Sequence, residues 1–180
     1  MERLLAKQSI VEAIFSIARA LDDLDTGLFV DQFLPNDIIT LDVSGHIQAM
    51  APQEISPTEL AQQMCHVLAG FAATHHVLTN PMVKFDEGTE SKATATVYFS
   101  AYHCLFDESN ELQNVFARGR WEMEVEAYKD GWVIRSLAIK RTVPLSPREL
   151  EYYNVSIARV KAGEGRPSKA QVQWEAIVVD

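Results

Sequence analysis

The sequence predicts one compact α+β domain in which a curved antiparallel sheet wraps around N-terminal helices. Three observations lead to this fold class: a helical pattern opens the chain, a second helix starts near residue 56, and four long strand-like stretches follow. Helices first and strands afterwards are typical of α+β domains. The chain has 180 residues, of which 47% are hydrophobic, so it can bury one sizeable core.

The first helix is predicted over residues 2–21. Apolar residues recur along it at spacings of four, three and four and share one face: Ile10, Ile14, Ile17 and Leu21. The acidic segment at residues 22–25 ends this pattern, and a second short helix is expected to stop before Pro35. Asp22 is therefore expected at a helix end, against apolar neighbours.

Residues 37–43 favour a first strand, because isoleucine, threonine, leucine and valine dominate them. A loop follows, and Ser56 then begins a helix. Pro57 is tolerated at the first helical position, and Glu59 can return a hydrogen bond to the cap. This helix has an apolar face, so it is expected to pack against the sheet.

Four extended stretches come next, separated by turn-forming segments, which predicts an antiparallel meander. They lie near residues 75–86, 92–107, 113–127 and 132–143. A second start signal at Ser146 opens a helix to about Ala162. We expect residues 1–143 to form the main domain and residues 144–180 to form a C-terminal helix and tail. The apolar end of that tail, residues 172–179, is expected to dock on the domain or on a second subunit.

Composition narrows the possible partners. The net charge of −9 argues against nucleic acid, since surfaces that bind a phosphate backbone are normally basic. No apolar run approaches the length of a membrane span, and charges come too early in the chain for a signal peptide. We therefore expect a soluble, cytoplasmic protein with no membrane partner.

The spacing of histidines and cysteines does not match a metal or cofactor motif. Cys65 and Cys104 lack a C-x-x-C arrangement, so neither a disulfide framework nor a thiolate zinc site is expected. The five histidines lack H-E-x-x-H or comparable ligand spacing, and no glycine-rich phosphate loop or nucleotide fingerprint is present. We predict no metal and no cofactor.

His103 lies on a strand face that is otherwise apolar. Val97, Phe99 and Ala101 share its parity, so the pleat places these side chains on one side of the sheet. An imidazole among apolar side chains must find a partner or stay neutral, and a carboxylate such as Asp22 could fix its tautomer. The residues alone leave two interpretations open: a histidine that transfers protons, or a core histidine bonded to a backbone carbonyl.

His75 and His76 are adjacent on a predicted strand and therefore point to opposite faces. The alternation of apolar and polar residues does not show which histidine faces the core, because each one shares its parity with apolar residues of the strand. Asp22 also has two interpretations, as a pocket carboxylate or as a helix cap among turn-forming acidic residues.

On the predicted strand at 113–127, the odd positions 115–125 are apolar and the even positions 118–126 are charged. Trp121 and Met123 are therefore expected to join Phe99 as substrate-binding residues that wall a cavity. As a hydrophobic stripe, they are equally well explained as plain core.

Residues 20–25, 74–80 and 98–103, in this order and spacing, resemble the SnoaL-like, scytalone dehydratase-like branch of the nuclear transport factor 2-like superfamily. A turn at 130–134, behind a strand with Gly119-x-Trp121, completes the match. The resemblance implies a cone-shaped fold with an apolar pocket between the concave sheet and the helices.

The same resemblance implies the catalytic residues. Asp22, His76 and His103 take the places of a pocket aspartate and two histidines, which in scytalone dehydratase surround the substrate and assist removal of water. Leu21 and Val43 stand where that enzyme carries tyrosines that orient a catalytic water.

Together these interpretations predict a cofactor-independent lyase or isomerase. Its substrate would be a small, apolar, carbonyl-containing metabolite, such as a polyketide or terpenoid intermediate. His76 and His103 would act as general acid and base, with neither role assigned to either histidine, and Asp22 would orient one of them. The alternative is a non-catalytic module that binds a hydrophobic ligand or a protein. A homo-oligomer, dimer or trimer, is expected because an open curved sheet leaves a face that needs cover.

Overall fold

The computed structural model describes residues 2–46, 50–107 and 109–167, and it has the α+β architecture expected from the sequence. Its elements are α1 Glu2–Asp23, α2 Thr26–Val30, β1 Ile39–Asp42, β2 Gln53–Ile55, α3 Pro57–Ala69, β3 Ala73–Phe85, β4 Lys92–Phe106, β5 Leu112–Tyr128, β6 Gly131–Arg141 and α4 Pro147–Lys161. The described helices include none with the length and apolar character needed to cross a bilayer.

The six strands form one mixed sheet in the order β2-β1-β6-β5-β4-β3. The meander from β3 to β6 is antiparallel, as expected, because tight turns reverse the chain between consecutive strands. β1 instead runs parallel to β6, so the expectation of a wholly antiparallel sheet is wrong at this one pairing. These two strands are far apart in sequence, so no turn fixes their relative direction.

β2 is a strand that the sequence did not predict. It has three residues, pairs antiparallel with β1 and forms the edge of the sheet. A segment this short shows no measurable alternation of apolar and polar residues, so the pattern placed it in a loop.

Both predicted helix starts are confirmed. The Ser56 Oγ accepts a hydrogen bond from the Glu59 amide at 3.2 Å, and the Ser146 Oγ accepts one from the Glu149 amide at 3.1 Å. Each serine has extended backbone angles, and a proline follows it in the first turn. The two caps therefore set where α3 and α4 begin.

The inner face of the sheet carries the core, and α1 packs across it against β3 and β6. Odd positions of β4 and β5 point inward, as alternation predicted. The buried odd positions of β4 are Ala93, Ala95, Val97, Phe99, Ala101, His103 and Leu105. Tyr98 lies on the outer face and is 42% exposed.

α4 packs against α3 and β5 and is fixed by two buried polar contacts. The Ser156 Oγ donates to the Val67 carbonyl of α3 at 2.6 Å. Near the start of α4, the Glu149 carboxylate accepts from Arg141 Nη2 at 2.7 and 2.5 Å, and both side chains are almost completely buried. Residues 168–180 lie outside the described residues, so docking of the tail stays a prediction, as do the domain boundary at residue 143 and the homo-oligomer.

Gly70 allows the close approach of α4 to α3, and its substitution should disturb that contact. A Cβ built at Gly70 would lie 1.9 Å from the Ser156 carbonyl oxygen, which is backbone and cannot move aside cheaply. We expect Gly70→Ala to lower the free energy of unfolding by about 1–3 kcal/mol. Urea unfolding measures the change. Gly131→Ala, where a Cβ meets nothing within 4 Å, is the control and should change stability by less than about 0.5 kcal/mol.

Candidate active site

A cavity of about 340 Å³ lies between the inner face of the sheet and helices α3 and α4. Its wall is mainly aliphatic and aromatic. The polar side chains in the wall are His46, Gln53, Gln63, His76, His103, Tyr153 and Asn154. No Asp, Glu, Lys or Arg is found among the described residues that line it, so the cavity suits an uncharged ligand with a few oxygen atoms.

Asp22 and His76 form a hydrogen-bonded pair at one side of this cavity. The Nδ1 of His76 lies 2.7 Å from Asp22 Oδ1, and the backbone amide of His76 donates to Oδ2 at 2.8 Å. An ionised carboxylate only accepts hydrogen bonds, so the His76 ring carries its proton on Nδ1. When the ring is neutral, its Nε2 has a lone pair that can take up a proton.

The local sequence explains how this pair arises. Asp22 is in the last turn of α1, where the apolar stripe through Leu21 pins the helix against the sheet. His76 is on the inner face of β3, in step with the buried Thr74. The two residues are 54 positions apart, and the packing of α1 on β3 brings them into contact.

Burial by itself would raise the pKa of the Asp22 carboxyl, but hydrogen bonds reverse this effect. The ring and amide of His76 and the side chain of Thr74 all stabilise the charged form, so the pKa lies below its usual value. Asp22 does not line the cavity. It lies behind His76, in a shallow groove between α1 and β3.

The choice that alternation left open between the two neighbouring histidines is resolved by burial. The side chain of His76 is 7% exposed and lines the cavity, whereas that of His75 is 72% exposed. His75 Nδ1 is 3.9 Å from Asp22 Oδ2, on the solvent side of the carboxylate.

His103 is buried in the cavity wall next to His76. It is 2% exposed, and the centroids of the two imidazoles are 5.6 Å apart in an edge-to-face arrangement. Its ring stacks on Phe71 at 5.0 Å, and its Nδ1 lies 3.4 Å from the Tyr153 hydroxyl. The Nε2 atom is buried, and no described residue provides it with a partner.

His103 stays neutral at physiological pH. Burial lowers its pKa to about 3, and the neighbouring His76 acts in the same direction. Among the described residues, no backbone carbonyl accepts a hydrogen bond from the His103 ring. The contact expected for a core histidine is therefore not found there.

Of the predicted substrate-binding residues, two line the cavity and one does not. Phe99 and Trp121 are in its wall, with ring centroids 5.7 Å apart. Met123 is buried but is not among the described lining residues, so its predicted contact with a ligand lacks support. It pairs with Ala95 and Leu137, which do not line the cavity either, because this part of the inner face is filled by packed core.

Leu21 and Val43 both line the cavity. Both side chains are hydrocarbon, so the wall offers a ligand no hydroxyl group at these two positions.

Five polar residues of the described cavity wall were not predicted from the sequence: His46, Gln53, Gln63, Tyr153 and Asn154. His46 follows β1 in a loop, and burial lowers its pKa to about 4, with Arg141 contributing in the same direction. A loop residue has no periodicity to reveal its direction. Tyr153 is in phase with the apolar stripe of α4, and a hydroxyl within such a stripe was a usable signal.

Arg166, beyond α4, lies close to the Asp22–His76 pair. Its Nη2 donates to Thr74 Oγ1 at 3.3 Å and its Nη1 to the Asp22 carbonyl at 3.4 Å. Burial lowers the pKa of this guanidinium, while the Asp22 carboxylate acts in the opposite direction. Within the described parts of the chain, no three His, Cys, Asp or Glu side chains are grouped to hold a metal ion.

Comparison with known families and structures agrees with this architecture. A SnoaL-like domain family matches residues 2–138, and no curated protein matches the sequence. A solved structure from Kribbella flavida has a TM-score of 0.71 and 18% identity, over 86% of this chain and 98% of that chain.

Two further solved structures carry names that state an activity. A Novosphingobium aromaticivorans protein, provisionally named a scytalone dehydratase, has a TM-score of 0.62 and 14% identity, over 78% of this chain and 87% of its own. A hexachlorocyclohexane dehydrochlorinase has a TM-score of 0.62 and 17% identity, over 81% and 92%. Likeness at such low identity demonstrates a common fold.

Buried neutral histidines should make stability depend on pH. His103 and His46 take up a proton near pH 3 and 4 when folded, but near 6.5 when unfolded. Below pH 6.5 the unfolded chain therefore binds more protons than the folded chain. The stability that the neutral histidines contribute is fully present above about pH 6.5, and it is lost as the pH falls towards their folded-state pKa values. Each histidine adds a slope of up to about 1.4 kcal/mol per pH unit.

Urea unfolding of the wild type and of His103→Gln over this range checks the expectation. In His103→Gln, the free energy of unfolding should depend less steeply on pH, because the contribution of His103 is missing. His75→Gln, which changes an exposed ring, is the control and should keep the wild-type slope; equal slopes in all three proteins would contradict a buried neutral His103.

Proposed function

This chain belongs to the SnoaL-like domain family, and we propose that it is a cofactor-independent lyase or isomerase that removes a proton next to a carbonyl group. The observation that carries the proposal is the Asp22–His76 pair, which lies beside the neutral His103 at the wall of an apolar cavity. Proton abstraction at carbon needs one base, one hydrogen-bond donor for the developing oxyanion, and little water.

His76 is the base in this proposal. With its proton held on Nδ1 by Asp22, the Nε2 lone pair accepts a proton from the substrate carbon. The Asp22 carboxylate keeps the ring in this tautomer and stabilises the imidazolium that forms, as an aspartate does for a catalytic histidine in hydrolases. Because the Asp22 pKa is low, the carboxylate stays ionised throughout.

His103 acts as a donor rather than as a charged acid. Because its pKa is about 3, the ring is neutral at physiological pH and can stabilise an enolate oxygen with its single N–H. The acid–base pair expected from the sequence thus becomes one base and one neutral donor.

These groups account for each proton and electron pair that moves in the reaction. The C–H bond breaks, its proton moves to His76 Nε2, and the electron pair moves to the carbonyl oxygen, which forms an enolate. Collapse of the enolate expels a leaving group on the next carbon, such as hydroxide, which takes the proton from His76 and leaves as water. Return of the proton to a different carbon gives an isomer instead.

The residues of the cavity wall support a class of substrate. The described wall residues include no Asp, Glu, Lys or Arg and are mostly apolar, and a volume of about 340 Å³ fits a compound of one to three rings. We propose a neutral carbonyl compound, such as a polyketide or terpenoid intermediate. The names of the dehydratase and the dehydrochlorinase among the fold relatives both denote elimination, which supports the same reaction class.

The proposal is tested with a panel of neutral cyclic β-hydroxy ketones in deuterated water. NMR and mass spectrometry measure loss of water and deuterium exchange at the carbon next to the carbonyl. We expect the wild type to accelerate one or both. His76→Gln and Asp22→Asn should each lower the rate by about 10²–10⁴-fold. The first substitution removes the base, and the second removes the carboxylate that holds the base in its active tautomer.

His75→Gln is the matched control, because it alters the neighbouring ring that faces solvent. Its rate should stay within about threefold of wild type. If folded His76→Gln protein works as well as the wild type, the catalytic assignment is refuted. Tight binding of the ketones without exchange or elimination would identify a binding module instead.

A further inference from the structure

We propose that Tyr153 is a positioning residue that holds His103 in the tautomer with its proton on Nε2, so that His103 offers a neutral hydrogen-bond donor to a substrate oxygen. This inference rests on the proposed function for its consequence, but the tautomer itself can be measured without any substrate. Tyr153 is on α4, beyond the residues 2–138 that match the family domain.

The geometry of the contact supports this role. The Tyr153 hydroxyl is 3.4 Å from His103 Nδ1, and the two rings meet edge to face with centroids 5.4 Å apart. The Phe71 ring lies next to both rings: its centroid is 5.0 Å from that of His103 and 5.6 Å from that of Tyr153. The phenol ring is thus confined between the imidazole and the aromatic side chain beside it.

Tyr153 is the donor in this contact. Burial raises the pKa of its hydroxyl, and the nearby Glu149 acts in the same direction, so the phenol keeps its proton. Among the described residues, His103 Nδ1 is the one hydrogen-bond partner of that hydroxyl. An O–H group without an acceptor in an apolar site is costly, so donation to Nδ1 is favoured.

Donation to Nδ1 decides what His103 presents on its other side. A neutral imidazole has one N–H, so an Nδ1 that accepts leaves the proton on Nε2. This Nε2 is buried without a partner among the described residues, and a buried donor that lacks an acceptor is energetically costly. Since His103 lines the cavity, a ligand carbonyl or hydroxyl oxygen there can satisfy it.

The two histidines then have complementary roles. Asp22 accepts from Nδ1 of His76 and leaves Nε2 as a base, whereas Tyr153 donates to Nδ1 of His103 and makes Nε2 a donor. The ring centroids are 5.6 Å apart, which lets the base reach a C–H bond while the donor reaches the adjacent carbonyl oxygen.

The attachment of α4 gives Tyr153 a defined position. The Ser146 cap, the buried Arg141–Glu149 pair and the Ser156 bond to Val67 fix the helix at its start and in its middle. Tyr153 lies between these anchors, so its hydroxyl has little freedom to leave His103.

Nitrogen-15 NMR of the full chain with labelled histidine tests the tautomer. The His103 signals are identified by their loss in His103→Gln, and the shifts of the two ring nitrogens show which one carries the proton. We expect the wild type to hold the proton on Nε2 between about pH 5 and 8, where the ring is neutral. In Tyr153→Phe, which keeps the aromatic ring, the two tautomers should become mixed.

Tyr152→Phe is the matched control. This neighbouring hydroxyl on α4 contacts Arg148 and Gln113 instead of the cavity, so its removal should leave the His103 tautomer unchanged. Where a ketone of the panel is turned over, Tyr153→Phe should lower kcat by about tenfold or more with a smaller change in KM, because the donor matters most when charge develops on oxygen.

The outcomes separate the two proposals. A wild-type proton on Nδ1, or a Tyr153→Phe protein with the wild-type tautomer, overturns the role of Tyr153 whether or not the protein has activity. The expected tautomers without elimination or exchange on any ketone would support the positioning role and count against the proposed reaction.

Discussion

The hydrogen bonds between Asp22 and His76 are the interaction on which the rest of the site depends. They join the end of α1 to the inner face of β3 across 54 residues of sequence, and they use both oxygens of the carboxylate. One bond goes to the backbone, which fixes the strand, and the other goes to the ring, which fixes the tautomer. The same contact thus has two effects, because it holds α1 against the sheet and sets the orientation of the His76 ring at the cavity wall.

The cavity owes its character to what surrounds these groups. Its described wall contains imidazoles, amides and a phenol but no Asp, Glu, Lys or Arg, and burial keeps His103 and His46 neutral. A low-polarity wall strengthens each remaining hydrogen bond, because water does not compete for the donor or the acceptor. The charged groups near it lie outside the described wall: Asp22 bonds to His76, Arg166 donates to the Asp22 carbonyl, and Arg141 pairs with Glu149 near the start of α4.

Local sequence determined much of the fold. Ser56 and Ser146 mark helix starts because a side-chain oxygen satisfies free amides wherever a helix begins, and the pleat of β4 places His103 with Val97 and Phe99. The direction of β1, the strand at β2 and the place of Met123 were not predictable in this way. Pairing direction and cavity shape depend on contacts between distant segments, and no short-range period records them.

For the site, the sequence by itself determined which residue types were available. It also determined which of them share a face of a strand or helix, because side chains alternate along a strand and recur every three to four residues along a helix. The family resemblance supplied the grouping of Asp22 with two histidines. Only the tertiary structure decided that His76 faces inward and His75 outward, that Asp22 bonds to His76 rather than His103, and that Tyr153 and His46 join the cavity. The physical reason is that a hydrogen bond depends on distance to within a few tenths of an ångström, and such distances are set by how α1 and α4 pack on the sheet.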